Sequence, residues 1–352
     1  MSIPPPVRGR GTVSNPHNRF APSRSVVEDD GWYQEVPLTQ GTQVTIETAK
    51  SIITRNSSPD IPFDRSINPY RGCEHGCIYC FARPSHAYWD MSPGLDFETR
   101  LIAKTNAATL LEEQLSRPGY QCAPITLGAN TDCYQPIERE HRITRATLEV
   151  LLRYRHPVSI ITKGSLILRD LDLLAEMAKL RLVSVFISLT TLDDELKRIL
   201  EPRAAAPKAR LRAIRVMRDA GIPVGVLCAP MIPMINDNEL EALLSEAKAA
   251  GALSASYVML RLPLEVAPLF DEWLKTHYAQ RADHVMSLIR QSRGGELYDS
   301  RFGSRMRGEG PFADLLAQRY AVAVKRLGLN RRDALELDCT AFCPPGRQMS
   351  LL

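Results

Sequence analysis

Residues 66–86 read SINPYRGCEHGCIYCFARPSH and place three of the chain's eight cysteines, Cys73, Cys77 and Cys80, within eight positions. Thiols this close together belong to a disulfide, a zinc site or an iron–sulfur site, and each reading calls for a different protein. Glycines at 72 and 76 suit an irregular loop whose backbone wraps closely around a bound object. Zinc wants a fourth ligand, for which His86 is available while His75 sits inside the loop. A c-type haem is excluded, because Phe81 stands where the attachment motif has histidine. A cubane cluster held by only three thiolates leaves one iron without a protein ligand, open to a substrate or cofactor.

The bulk numbers weigh on that choice. The chain has 352 residues, 44% of them hydrophobic and 24% charged, enough for one large domain or two average ones, and a net charge of +4 permits an anionic partner without demanding one. No run approaches the roughly 20 apolar residues of a membrane span, and MSIPPPVRGRGTV lacks the apolar region of a secretory signal. The expected setting is cytoplasmic, where clustered cysteines are more often metal ligands or catalytic thiols than disulfides.

Residues 1–40, rich in Pro, Arg, Ser and Gly, read as a mobile basic arm. From about residue 97 strand and helix patterns alternate: FETRLIAK then TNAATLLEEQL, APITLGAN then EREHRITRATLEVLLRY, PVSIITKG then DLDLLAEMAKL. Later strands, LVSVFISLTT, IPVGVLCAPMIP and ALSASYVMLRL, are near-continuous apolar runs of the kind buried on both faces of a parallel sheet. Repeated β–α units of this length predict an α/β barrel over residues 41–265, with chemistry at the C-terminal ends of its strands. Residues 266–335 read as a helical extension and 336–352 as a tail. Within the extension, ELYDSRFGSRMRGEG sets Arg301, Arg305 and Arg307 beside Tyr298 and Phe302, which suits either a nucleic-acid surface or a polar loop capping the barrel.

Cys73-x3-Cys77-x-Tyr79-Cys80 resembles the signature of radical S-adenosylmethionine enzymes. The resemblance implies a partial (β/α)6 barrel and a 4Fe-4S cluster on Cys73, Cys77 and Cys80. The open iron of that cluster would chelate S-adenosylmethionine, and reduction by a one-electron donor such as flavodoxin or ferredoxin would release a 5′-deoxyadenosyl radical. Over roughly residues 60–262 the chain is similar to the spore photoproduct lyase branch, through NPYRGCEHGCIYCFARPSH, GANTDCYQPIE, ITKGS, ISLTTLDDELKRILEPR and AGIPVGVLCAPMIPMIND. By that resemblance Lys163 meets the S-adenosylmethionine carboxylate, Ser188 contacts the methionyl moiety, and Tyr79 and Phe81 wall the adenine.

Two departures stand out. Asn130-Thr131-Asp132 replaces the Gly-Gly-Glu that many superfamily members use to hold the methionyl amine, a change shared with the photolyase branch. Ala129 occupies the position of the photolyase cysteine that returns hydrogen to the substrate radical, and Cys133 is the nearest thiol that could take over, or the reaction is a different one. Asp132, Tyr134 and Glu138 on one expected rim loop, and Arg198, Glu201 and Arg203 on another, are further candidates to orient ribose or substrate. Cys122 and Cys228 read as small core residues, and Cys339 and Cys343 are too few for an auxiliary cluster. The last five residues, Gln348 to Leu352 (QMSLL), resemble the peptide by which bacterial repair proteins dock on the DNA sliding clamp. The function expected is a radical enzyme related to spore photoproduct lyase, its substrate undetermined and nucleic acid one candidate; a radical enzyme for a protein or small molecule, and a non-catalytic metal-stapled nucleic-acid-binding protein, are the alternatives.

Overall fold

Short apolar runs between amphipathic helices have few ways to bury themselves, and parallel strands backed by helices are the commonest. The computed structural model, which describes residues 7–21, 41–331 and 334–345, adopts that solution. Its strands in chain order are β1 (Gln43–Glu47), β2 (Ile53–Arg55), β3 (Arg65–Ile67), β4 (Tyr70–Arg71), β5 (Arg100–Lys104), β6 (Ile125–Leu127), β7 (Val158–Thr162), β8 (Val183–Ser188), β9 (Val224–Met231) and β10 (Ser254–Met259). The main sheet has the order β10-β9-β8-β7-β6-β3-β2. Its strands β3 and β6 to β10 run parallel, and β2 closes one edge antiparallel to β3. This is the six-stranded partial barrel the sequence predicts.

The helices between the strands carry the expected stripes. In Pro207–Asp219 a proline opens the first turn, and Arg210, Ala213, Ile214 and Met217 form the buried face. Gly221 ends the turn that follows with φ 76°, in the left-handed region that glycine enters freely.

One assignment shifts. FETRLIAK is not the first barrel strand: β5 pairs parallel with β1 and antiparallel with β4 in a separate three-stranded sheet. The first barrel strand is β3, only three residues long and too short to show a period. Its C-terminal end leads directly into the cysteine loop.

The flanking segments join the same body. Trp273, Phe270, Leu274, Val285 and Ile289 of the helices Val266–His277 and Ala282–Gln291 share a core with Ile78, Tyr79, Leu196 and Leu200. The helical extension therefore packs on the cysteine loop itself. Residues 7–21, the described part of the expected mobile arm, are docked. Thr12 and Asn18 are buried, Ser14 Oγ donates to Glu272 (2.6 Å), and Arg19 pairs with Glu265 (2.6 Å). Composition hid this because the segment contributes polar bonds to buried carboxylates rather than an apolar face of its own.

Candidate active site

The cysteine loop is shaped by glycine and held from several sides. Gly72 and Gly76 have φ 71° and 66°. A side chain at Gly72 would press on Leu101 and the Phe97 carbonyl, at 2.6 and 2.9 Å, so only glycine fits there. Cys73 N donates to Phe97 O (2.9 Å), Glu74 N to Gln135 Oε1 (2.8 Å), and Ile78 N to Leu200 O (3.2 Å).

Beneath the loop lies a fully buried ion pair, Arg83–Glu98 at 2.5 Å, with both side chains at 0% exposure. Arg83 donates through Nε and Nη2 to Cys77 O (3.0 and 2.8 Å), while Glu98 accepts from Gly11 N (2.8 Å) and Thr12 N (3.1 Å). A side chain at Gly11 would collide with the Gly76 carbonyl. The N-terminal strap thus lies on the loop and is wired to Cys77 through two charges.

All eight cysteines are unbonded, and no group of three or more His, Cys, Asp or Glu among the described residues converges on a single-ion site. His86, the candidate fourth zinc ligand, places Nε2 3.0 Å from Arg100 O, and burial pushes it down to about 4. The three loop thiols do not meet on a single-ion site, and a cluster whose irons take one thiolate each does not ask them to. Burial pushes all three thiols up, Cys77 to about 12, so holding them as thiolates calls for the charge of a metal group.

Facing the loop are the ends of β7 and β8. Lys163 follows β7, and its Nζ stands 5.8 Å from the Tyr79 ring centroid. Burial works against this half-buried ammonium, but Cys77 and Glu201 outweigh it and hold the lysine above its ordinary value. Ser188 ends β8, buried, with its carbonyl accepting from Arg210 Nη1 (2.9 Å). Beneath them Glu201 is completely enclosed: it accepts from Tyr79 Oη, from Thr190 Oγ1 (2.7 Å) and from Arg210. Burial pushes Glu201 up, and Arg210 and Lys163 overcome it and pull the carboxyl down to about 2. Of the three candidates in KRILEPR, Glu201 alone reaches the site. Arg203 pairs with Glu74 on the loop's flank (2.7 Å), and Arg198 faces solvent beside Glu195.

Several sequence assignments change. Tyr79 and Phe81 do not form one wall: Tyr79 turns inward to Glu201, whereas Phe81 is 47% exposed, with the Arg261 guanidinium 5.4 Å from its ring centroid. Asp132 is an anchor. It accepts from Thr162 Oγ1 (2.6 Å) and Lys163 N (2.7 Å) and lies 3.3 Å from His75 Nδ1, so burial's upward push is overcome and the carboxyl sits well below its usual range. Cys133 is at 0% exposure in the main core, its charged neighbours being Asp132, Glu138 and Asp170. It is sealed there away from solvent. Both residues lie in the turn that follows β6, where Asp132 is bonded to the end of β7 while Cys133 enters the main core. Tyr134 and Glu138 belong to that same outer network, with Tyr134 Oη donating to Asp170 (3.1 Å) and Arg169 pairing with Glu138 (2.7 Å).

Arg210, Thr190, Arg83 and Glu98 were not singled out from the sequence. One signal was available: Arg210 falls on the apolar stripe of its helix, where an arginine implies a buried anion. Arg301 pairs with Asp299 (3.0 Å) and Glu309 (3.3 Å), Arg305 with Asp60, and Arg307 covers the Tyr257 ring at 4.0 Å. The loop that holds them caps the barrel with Arg301 and Arg305 matched to carboxylates and Arg307 laid on a ring. Gln348 to Leu352 lie outside the described residues.

A partial β/α barrel with three thiols on the loop after its first strand, facing a lysine across the rim, defines a class of cluster-dependent radical enzymes. The family model of the radical SAM superfamily matches residues 67–247, and the chain belongs to that superfamily. Its cofactors are accordingly a 4Fe-4S cluster and S-adenosylmethionine, and the non-catalytic reading falls away. Uncharacterised proteins of Mycobacterium bovis and Mycobacterium tuberculosis are 39% identical over 233 residues, 66% of this chain and 68% of theirs. One from Methanocaldococcus jannaschii is 26% identical over 214 residues, 61% of this chain and 76% of its own. Among solved structures, spore photoproduct lyase complexed with dinucleoside spore photoproduct has the same fold, with a TM-score of 0.58 at 13% identity over 81% of this chain and 79% of that one.

Proposed function

We propose that the chain holds its cluster on Cys73, Cys77 and Cys80, binds S-adenosylmethionine against it, and acts on nucleic acid presented at the strand C-terminal rim. With both groups bound on these residues, and an electron from a flavodoxin- or ferredoxin-like donor, they would supply a 5′-deoxyadenosyl radical able to take a substrate hydrogen. The observation that carries the reading is the three-thiol loop facing Lys163, whose ammonium has no ion-pair partner among the described residues. Lys163 holds the anionic end of S-adenosylmethionine by a charge-assisted bond. Glu201 and Arg210 fix Tyr79 and the end of β8, so the lysine and Ser188 are presented on a rigid rim.

Toward the substrate, Arg261 lies between the Phe81 and Tyr298 rings, 5.4 and 5.9 Å from their centroids. Its hydrogen bonds go to Tyr298 Oη and Met306 Sδ (3.4 Å each), and no carboxylate pairs with it among the described residues. Rings flanking an unpaired guanidinium suit a base beside a phosphate. The name of the structurally similar lyase, complexed with a dinucleoside photoproduct, points the same way. A protein or small-molecule substrate is the second reading, favoured by the internal pairing of Arg301 and Arg305.

Anaerobic reconstitution should give about four irons per chain and reductive formation of 5′-deoxyadenosine, lost on replacing any one of the three loop cysteines by alanine. Deuterated DNA, RNA and cell-extract protein, offered separately, should pass deuterium into deoxyadenosine only from nucleic acid; transfer from protein alone would select the second reading. We further propose Gln348 to Leu352 as a sliding-clamp peptide, so deletion of residues 348–352 should abolish clamp binding. A full-length chain that never binds clamp refutes it.

A further inference from the structure

Cys339 and Cys343 have no part in the radical site, yet the fold gives Cys339 a partner. Residues 334–345 cross the opposite end of the barrel, where the strands begin. Asp338 N donates to Arg181 O (2.9 Å) ahead of β8, Cys343 N donates to Tyr154 O (3.0 Å) ahead of β7, and Leu335 lies against Gly225 in β9. Phe342 seats this segment, with its ring centroid 5.5 Å from that of Tyr120 and 5.4 Å from that of His156, and those two side chains are bonded at 2.9 Å.

A turn closed by Phe342 N on Cys339 O (3.3 Å), with Phe342 seated on Tyr120, sets Cys339 beside Cys122, two residues beyond Tyr120, near enough for each thiol to feel the other's charge. Both thiols are unbonded and half-buried, within reach of a small reagent, whereas Cys228 is sealed in the core. Cys122 is therefore not the core residue its sequence suggests.

We propose that Cys122 and Cys339 form a second thiol site, a dithiol at the barrel floor that exchanges with small disulfides and staples the C-terminal segment to the barrel. Cys339 attacks a sulfur of the small disulfide and releases one small thiol; Cys122 then displaces the second and closes the protein bond. Two protein S–H bonds and one small-molecule S–S bond break, one protein S–S bond forms, and two protons and two electrons leave on the two released thiols. Burial and the adjoining Cys339 thiol push Cys122 up, and exchange by the reverse order gives the same products. Because the site lies at the end of the barrel opposite the cluster loop, the staple closes without touching the radical machinery.

The test uses the reconstituted full-length protein, equilibrated anaerobically in glutathione–glutathione disulfide buffers, alkylated and mapped by mass spectrometry. A Cys122–Cys339 linked peptide should appear toward the oxidising end and vanish with dithiothreitol, and both Cys122→Ser and Cys339→Ser should abolish it. Oxidation should raise the thermal midpoint by about 5 °C in the parent and not in either variant. Both cysteines still alkylated at the oxidising limit, a Cys339–Cys343 bond instead, or bound iron lost in Cys339→Ser would each overturn the proposal. Iron content of the Cys73→Ala protein, read in parallel, reports on the radical-cluster assignment separately.

Discussion

Replacing Glu98 by glutamine removes one charge from a pair sealed at 0% exposure and leaves the Arg83 guanidinium with no anion. Breaking a buried pair in this way costs about 3–5 kcal/mol. Three carbonyls, of Cys77, Pro93 and Gly94, still accept from Arg83, so the lower end, about 3 kcal/mol, is expected. That is a large share of the roughly 5–15 kcal/mol that holds a folded protein together, and for a chain of this size it corresponds to a fall in melting temperature of about 4 °C. The local effect should be larger than the global one. Arg83 fixes the Cys77 carbonyl and Glu98 fixes the strap at Gly11 and Thr12, so the variant should lose iron to a chelator several-fold faster than the parent. Glu98→Gln, Arg83→Met and the double variant, melted as apoprotein, form a cycle in which the double should fall well short of the sum of the singles. A Glu98→Gln loss under about 1 kcal/mol, or additive singles, would refute the view that this pair is the keystone of the loop.

Lys163→Met should weaken S-adenosylmethionine binding to the reconstituted enzyme about 10- to 100-fold, the loss expected of one charge-assisted bond, measured by equilibrium dialysis; unchanged affinity would remove the lysine from the site. Cys133→Ala should leave 5′-deoxyadenosine formation and substrate hydrogen transfer intact while costing about 1 kcal/mol of stability, and loss of transfer alone would return Cys133 to the role of hydrogen donor. Glu201 has a folded value depressed from 4.5 to about 2, so its stabilisation is complete above about pH 4.5 and lost as pH falls toward 2. That component is roughly 3 kcal/mol. Acid melts of Glu201→Gln should lack it, and parallel pH profiles for parent and variant would contradict the assignment.

The sequence by itself determined the chemistry-bearing loop and the architecture around it. Three thiols at fixed spacing, glycines where the backbone must turn left-handed and near-continuous apolar strands are local patterns, legible because each is written within a few residues. Lys163 and Ser188 were singled out by resemblance, and their places at the ends of β7 and β8 follow from the apolar runs before them. Only the tertiary structure decided which polar residues face the site. A one-residue step in the turn after β6 bonds Asp132 to Thr162 and Lys163 and sends Cys133 into the core, and no composition records that choice. Nor could the sequence pair Arg83 with Glu98 and through it with Gly11, Glu201 with Arg210, or Cys122 with Cys339, which lies 217 positions further along. Buried charges and thiols find their partners only when the chain has closed around them, and a pairing between distant segments leaves no period to read.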